Sequence, residues 1–123
     1  MILQFDFSSD VPIYLQIRNQ IVIGISSGQL KAGQKLPTVR ALAEESGINV
    51  MTVSKAYNLL KQEGYIITDR RKGAVIAPQA GSPTVKDETI HKLRLCLTEL
   101  RLAGMTKNDL HDLVEQLYEE VDA

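Results

Sequence analysis

Residues 36–65 read LPTVRALAEESGINVMTVSKAYNLLKQEGY. Two segments with helical apolar spacing meet here across only Gly47, Ile48 and Asn49. In the first, Thr38 is placed to cap a helix that turns Val39, Leu42 and Ala43 inward, and Gly47 stops it. In the second, Asn49 caps a helix in which Val53, Ala56, Tyr57 and Leu60 recur at i, i+3, i+4 and i+7, the spacing of one buried stripe. A turn this short makes neighbouring helices cross, as in a helix-turn-helix, and leaves the face opposite Val53 and Leu60 projecting from the protein. That face carries Met51, Ser54, Lys55 and Asn58, flanked by Val50 and Thr52. Small polar groups, methyls and one cation suit a surface that enters the DNA major groove, where hydrogen bonds and methyl contacts read base edges. Any solvated helix also shows a polar face, so the turn alone leaves a plain surface helix as an equal reading.

The flanking sequence shifts that balance. Upstream, ILQFDF at 2–7 alternates and predicts one strand. Pro12 suits a first helical turn, and Ile13, Ile17, Ile21 and Ile25 run along one side until Gly28 ends the helix. Residues 29–36 read as a link containing Gly33. Downstream of Gly64, the runs YIIT and AVIA, joined by DRRKG, predict a small hairpin with a charged tip. A hairpin in this place is where a winged helix carries its wing. Its tip residues Arg70, Arg71 and Lys72 can reach phosphates or a minor groove, the plainer reading being solubility. Arg40 falls in the first turn of helix two, where the helix dipole favours an acid, and this points to an external anion.

PQAGSP follows as a linker, and the tail predicts two amphipathic helices. Ile90, Leu93, Leu97 and Leu100 form one apolar stripe and Gly104 ends it. Thr106 with Asp109 resembles a capping arrangement for the second, whose stripe is Leu110, Leu113, Leu117 and Val121. No internal repeat or low-complexity segment interrupts this order.

Composition bounds the function. The chain has 123 residues, 44% hydrophobic and 24% charged, which suits one compact domain with an appendage and not a disordered tail. The N-terminal MILQFDFSSD has no basic leader region, and no apolar run of about 18 residues occurs, so a cytoplasmic location without membrane insertion is expected. Cys96 stands alone, and His91 and His111 are separated in sequence, so neither a disulfide nor a metal site is expected. The net charge of −1 hides an asymmetry. Residues 1–80 hold nine Lys or Arg against six Asp or Glu, whereas residues 81–123 hold five against nine. The positive part can approach a polyanion, and the acidic tail would point away from it.

PIYLQI from Pro12, then SGQLKAGQKLPTVRALAEESGINVMTVSKAYNLLKQEGYI, resembles the DNA-binding domain of the GntR family of bacterial transcription regulators over residues 11–77. The short two-helix tail resembles the YtrA-like subfamily. The resemblance implies that Arg40 touches DNA and that Asn49, Val50, Met51 and Thr52 lie in the major groove with Ser54 a turn further on. It also implies that Arg71 and Lys72 contact the adjacent minor groove or backbone. Relatives often carry arginine within the recognition helix, where this chain offers Val50, Met51 and Ser54. The wing reads RRKGAV where many members have a second glycine and a hydroxyl residue.

These readings combine into one expectation: a mainly α protein with a small β-sheet, a winged helix-turn-helix over 1–78, a linker at 79–84 and a two-helix dimerisation hairpin over 85–123. The expected function is a sequence-specific transcription regulator, a repressor by family habit, binding a pseudo-palindromic operator in double-stranded DNA as a homodimer. The alternative is a winged-helix protein-interaction module without DNA function. Expected DNA-binding residues are Thr38, Arg40, Asn49, Val50, Met51, Thr52, Ser54, Lys55, Asn58, Arg70, Arg71 and Lys72. The expected dimer interface is Leu93, Cys96, Leu97, Leu100, Leu110, Leu113, Leu117 and Tyr118, with Cys96 a packed thiol. No P-loop, nucleophile elbow or paired catalytic set is visible, so no enzyme and no cofactor is expected. A two-helix tail hardly encloses a drug-sized pocket alone, so any small-molecule effector, which the sequence does not identify, would bind between subunits or domains.

Overall fold

The computed structural model describes residues 3–78 and 85–122, with side chains as far as residue 120. The expected linker at 79–84, Ile2 of the expected first strand and the Val121 side chain lie outside the described residues. The chain divides into two compact units, Met1–Gly81 and Ser82–Ala123.

In the first unit, α1 (Ile13–Ser26), α2 (Val39–Ser46) and α3 (Val50–Gln62) precede an antiparallel hairpin of β1 (Ile66–Asp69) and β2 (Gly73–Ile76). Each helix forms where its caps and apolar spacing agree. The Thr38 hydroxyl accepts from the Ala41 N–H at 3.0 Å, and the Asn49 carboxamide oxygen accepts from the Met51 N–H at 2.7 Å, so both helix starts have an otherwise orphaned donor satisfied. Between them Gly47 takes a φ of 68°, which lets the chain leave α2 and enter α3 within three residues. Both α1 and α2 pack on α3. Ile17 and Ile21 of α1, Leu42 and Ala43 of α2, and Val53, Ala56, Tyr57 and Leu60 of α3 close over Leu36, Ile66 and Ile76 as one core. Burying such aliphatic side chains is worth roughly 1.5–3 kcal/mol each, and this holds α3 with its opposite face outward. The Arg18 guanidinium donates to both Glu63 carboxylate oxygens at 2.8 Å and lies 5.7 Å from the Tyr65 ring centroid, which ties α1 to the junction of α3 and the wing.

Two sequence expectations are corrected. Residues 3–6 form no strand. Their alternation is real, since Leu3 and Phe5 pack on the core while Gln4 and Asp6 are exposed, but their backbone partners are side-chain amides. The Gln4 N–H donates to Gln20 Oε1 at 3.0 Å and the Asp6 N–H to Gln16 Oε1 at 2.9 Å, while the same two carboxamides donate back to the Gln4 and Asp6 carbonyls. Glutamines one helical turn apart match the two-residue repeat of an extended chain, so α1 supplies what a neighbouring strand would have supplied. The other correction concerns the link before α2. Lys35 bridges Val75, the Leu36 N–H donates to the Ala74 carbonyl at 2.8 Å and the Ile76 N–H to the Gln34 carbonyl at 2.9 Å. This link therefore covers the second edge of β2, and Leu36 enters the core.

The second unit holds α4 (Asp87–Leu102) and α5 (Lys107–Asp122). Gly104, at a φ of 98°, ends α4, with the Met105 N–H donating to the Leu100 carbonyl at 3.1 Å. Thr106 and Asp109 cap α5 reciprocally: the Thr106 N–H donates to Asp109 Oδ2 at 2.9 Å and the Asp109 N–H to the Thr106 hydroxyl at 3.2 Å. No helix among the described residues is long and apolar enough to cross a membrane.

Candidate nucleic-acid interface

The α3 surface opposite the core stripe is open. Met51 is 75% exposed, Val50, Lys55 and Asn58 are exposed, and Thr52 and Ser54 are half-buried on the flanks. Asn49 stands exposed at the helix start, its carboxamide oxygen engaged by the Met51 N–H. Its side-chain NH₂ and carbonyl lone pair therefore remain at the leading end of the helix.

At the start of α2, Thr38 and Arg40 are exposed. Arg40 has no ion-pair partner among the described residues. The segment carrying it is anchored from beneath, because the Tyr57 hydroxyl donates to the Pro37 carbonyl at 2.7 Å. Burial pushes the Tyr57 phenol up to about 12, so it remains a protonated donor at neutral pH. The same tyrosine fills the core and fixes the peptide beside Arg40.

The wing tip is built on Asp69. One of its carboxylate oxygens accepts from the Arg71 and Lys72 N–H groups at 2.7 and 3.1 Å, and Gly73, at a φ of 80°, brings the chain back into β2. These backbone hydrogen bonds hold the Asp69 carboxyl below its ordinary range. A lowered folded value means that the anchoring is present above the ordinary carboxylate pKa and is lost only as pH falls through the folded value. Arg70, Arg71 and Lys72 are all exposed at this tip, and none forms a salt bridge among the described residues. The head thus presents an open α3 face, Arg40 and a cationic wing tip to solvent.

In the tail, the residues expected at a dimer interface divide into two groups. Leu93, Leu97 and Leu110 line one groove of about 630 Å³, which Arg94, Arg101 and Lys107 border. Leu100 and Leu113 are half-buried, whereas Cys96, Leu117 and Tyr118 are exposed, Tyr118 at 69%. No residue of α4 is buried.

The sequence profile of bacterial regulatory proteins, gntR family, matches residues 13–76. The chain belongs to the GntR family. Over 97% of its length it is 34% identical to the HTH-type transcriptional repressor YtrA of Bacillus subtilis (strain 168), covering 94% of that protein. A transcriptional antiterminator from Listeria monocytogenes EGD-e has a similar crystal structure, with a TM-score of 0.85 and 29% identity over 100% of this chain and 94% of that one. The AraR DNA-binding domain, solved in complex with operator ORX1, matches 63% of this chain and 96% of its own at a TM-score of 0.54 and 25% identity. This GntR-family chain is accordingly a transcription regulator of YtrA-like organisation with a winged helix-turn-helix DNA-binding domain, and its family is one of DNA-binding proteins, not enzymes.

Two features of this GntR-family chain escape the sequence reading. Tyr14, in the first turn of α1, lies against Lys55 of α3, with Nζ 4.0 Å from its ring centroid. Nothing in the spacing of PIYLQI marks that contact, because it joins two helices. In the tail, Val114 is exposed four residues after Leu110 and widens the α5 apolar stripe. That signal was present in the i, i+4 spacing.

Proposed function

We propose that this regulator is a repressor that acts in the cytoplasm as a homodimer on a pseudo-palindromic operator, with residues 1–78 as the DNA-binding head, 79–84 as linker and 85–123 as dimerisation tail. The observation that carries it is the open α3 face in one head with the exposed cations Arg40, Arg70, Arg71 and Lys72. Asn49, Val50, Met51, Thr52, Ser54 and Asn58 read base edges, while Thr38, Arg40, Lys55, Arg70, Arg71 and Lys72 hold the backbone or an adjacent groove. Repression follows the likeness to YtrA of Bacillus subtilis, a transcriptional repressor.

Two features of the tail support the homodimer. Ile90, Leu93, Leu97 and Leu117 of its apolar stripes are exposed, and its charges are complementary: Arg94, Arg101 and Lys107 border the groove, while α5 also carries Asp109, Asp112, Glu115, Glu119 and Glu120. A second tail offers both the apolar surface and the opposite charge. Two-fold symmetry then presents two recognition helices to half-sites about 10 bp apart.

Selection of bound genomic fragments tests this reading by yielding the operator. On that operator, single substitutions at Asn49, Met51, Thr52 or Ser54 should change the preferred base at one or two positions by about 1–3 kcal/mol each. Affinity for random DNA should stay near the parent value. Parallel loss of specific and random binding would remove α3 as the reader, and no enrichment at all would favour a protein-interaction module.

Arg40→Ala and Arg71→Ala test the electrostatic part. Each should weaken binding and lower the magnitude of the log K against log[salt] slope by about 0.9 if its contact is a phosphate. Parent-like affinity in both variants at moderate salt would reject these assignments.

A further inference from the structure

The α1 flank of the recognition helix carries a pair of groups that the helix-turn-helix pattern does not contain. Tyr14 stands in the first turn of α1, half-buried against the core, and the Lys55 ammonium lies 4.0 Å from the centroid of its ring. Both residues border a cleft of about 590 Å³ shared with Met51, Ser54 and Asn58, so the pair is continuous with the face expected to meet DNA.

Neither group is used up by the protein. Lys55 has no carboxylate within ion-pair distance among the described residues. The Tyr14 hydroxyl makes no hydrogen bond to any described residue. A phenylalanine would fill the same place against the core, so the hydroxyl adds a donor for which folding has no use. An exposed lysine ordinarily samples many rotamers, and ordering it on binding carries an entropic cost. Attraction to the ring face confines the ammonium before any ligand arrives. An ammonium over the ring and a phenol O–H at its edge are two donors within the span of a single phosphate group, and donors of this kind hold DNA backbones.

We propose that Tyr14 and Lys55 form a phosphate clamp on the α1 flank of α3, with Tyr14 a DNA-contacting residue that also positions the lysine. This rests on the DNA-binding reading above. The clamp sets how deeply and at what angle α3 enters the groove, and it is independent of the wing and of Arg40.

The test is a salt titration of operator binding between 50 and 200 mM for the full-length parent, Tyr14→Phe, Lys55→Gln, the double variant and Arg40→Ala, with melting temperatures recorded alongside. Lys55→Gln should reduce the slope magnitude by about 0.9. Tyr14→Phe should weaken binding about threefold to tenfold at an unchanged slope, because a neutral hydrogen bond releases no counterion. The double variant should lose less than the product of the two, since both donors share one phosphate. Parent-like affinity and slope in Tyr14→Phe and Lys55→Gln, beside a weakened Arg40→Ala, would overturn the clamp and leave the DNA-binding reading standing. A parent protein without salt-dependent DNA binding would overturn both.

Discussion

Leu97→Arg is expected to yield a monomer that binds the full operator about 10²- to 10⁴-fold more weakly than the parent, while binding an isolated half-site as the parent's head does. The magnitude comes from linkage and not from a lost DNA contact. When two heads are joined, the second half-site is engaged at high effective concentration, and a monomer forfeits that advantage entirely. Leu97 is the residue to change because it lines the groove between α4 and α5 beside Leu93 and Leu110 and is still 38% exposed. A charge there must be desolvated if a second tail is to close over it. Arg94, Arg101 and Lys107 line the same groove, so the new guanidinium also adds a fourth like charge. Folding of the head should be unaffected, because no residue of α4 is buried. Leu113→Arg makes the same test from α5. Mass in solution and operator affinity should be measured on the same samples. A monomeric variant with parent-like affinity for the full operator would refute the linkage, and a parent that stays monomeric at micromolar concentration would refute the dimer.

What the sequence disclosed follows from the range of the interactions involved. Helix caps, the Gly47 turn and the Val53, Ala56, Tyr57, Leu60 stripe are local features with a period, and the helices and the hairpin stand where those signals put them. The outward face of α3 was legible for the same reason, since the side opposite a buried stripe must face away. Legibility stopped where one element borrows a partner from another. The alternation of residues 3–6 predicted a strand, and only the placement of Gln16 and Gln20 on α1 shows that glutamine amides take the strand's role. The contact of Lys55 with Tyr14 likewise joins α1 to α3 and leaves no mark in either segment alone. Residues 33–36 were too few to show a period between Gly33 and Pro37, although they pair with β2.

That short segment supports the other large effect. Leu36 is 2% exposed, and its N–H donates to the Ala74 carbonyl, so it joins β2 to the start of α2 from inside the core. Leu36→Ala removes three methyl(ene)-sized groups from the core that the three helices share with the hairpin. The expected destabilisation is about 2–5 kcal/mol, or a melting temperature lower by roughly 4–8 °C for each kcal/mol in a head of this size. Ile67→Ala is the control. It lies one residue from buried Ile66 but on the other face of β1, 44% exposed, and should cost much less. The loss at Leu36 should also reach function. Pro37, Thr38 and Arg40 follow it directly, held otherwise by the Tyr57 hydroxyl on the Pro37 carbonyl, so slack at Leu36 loosens the placement of Arg40. In the folded fraction of Leu36→Ala, operator affinity should therefore fall while the helix content of α3 is retained. Equal melting temperatures for Leu36→Ala and Ile67→Ala would show that residues 29–36 are no more than the link that the sequence alone suggests.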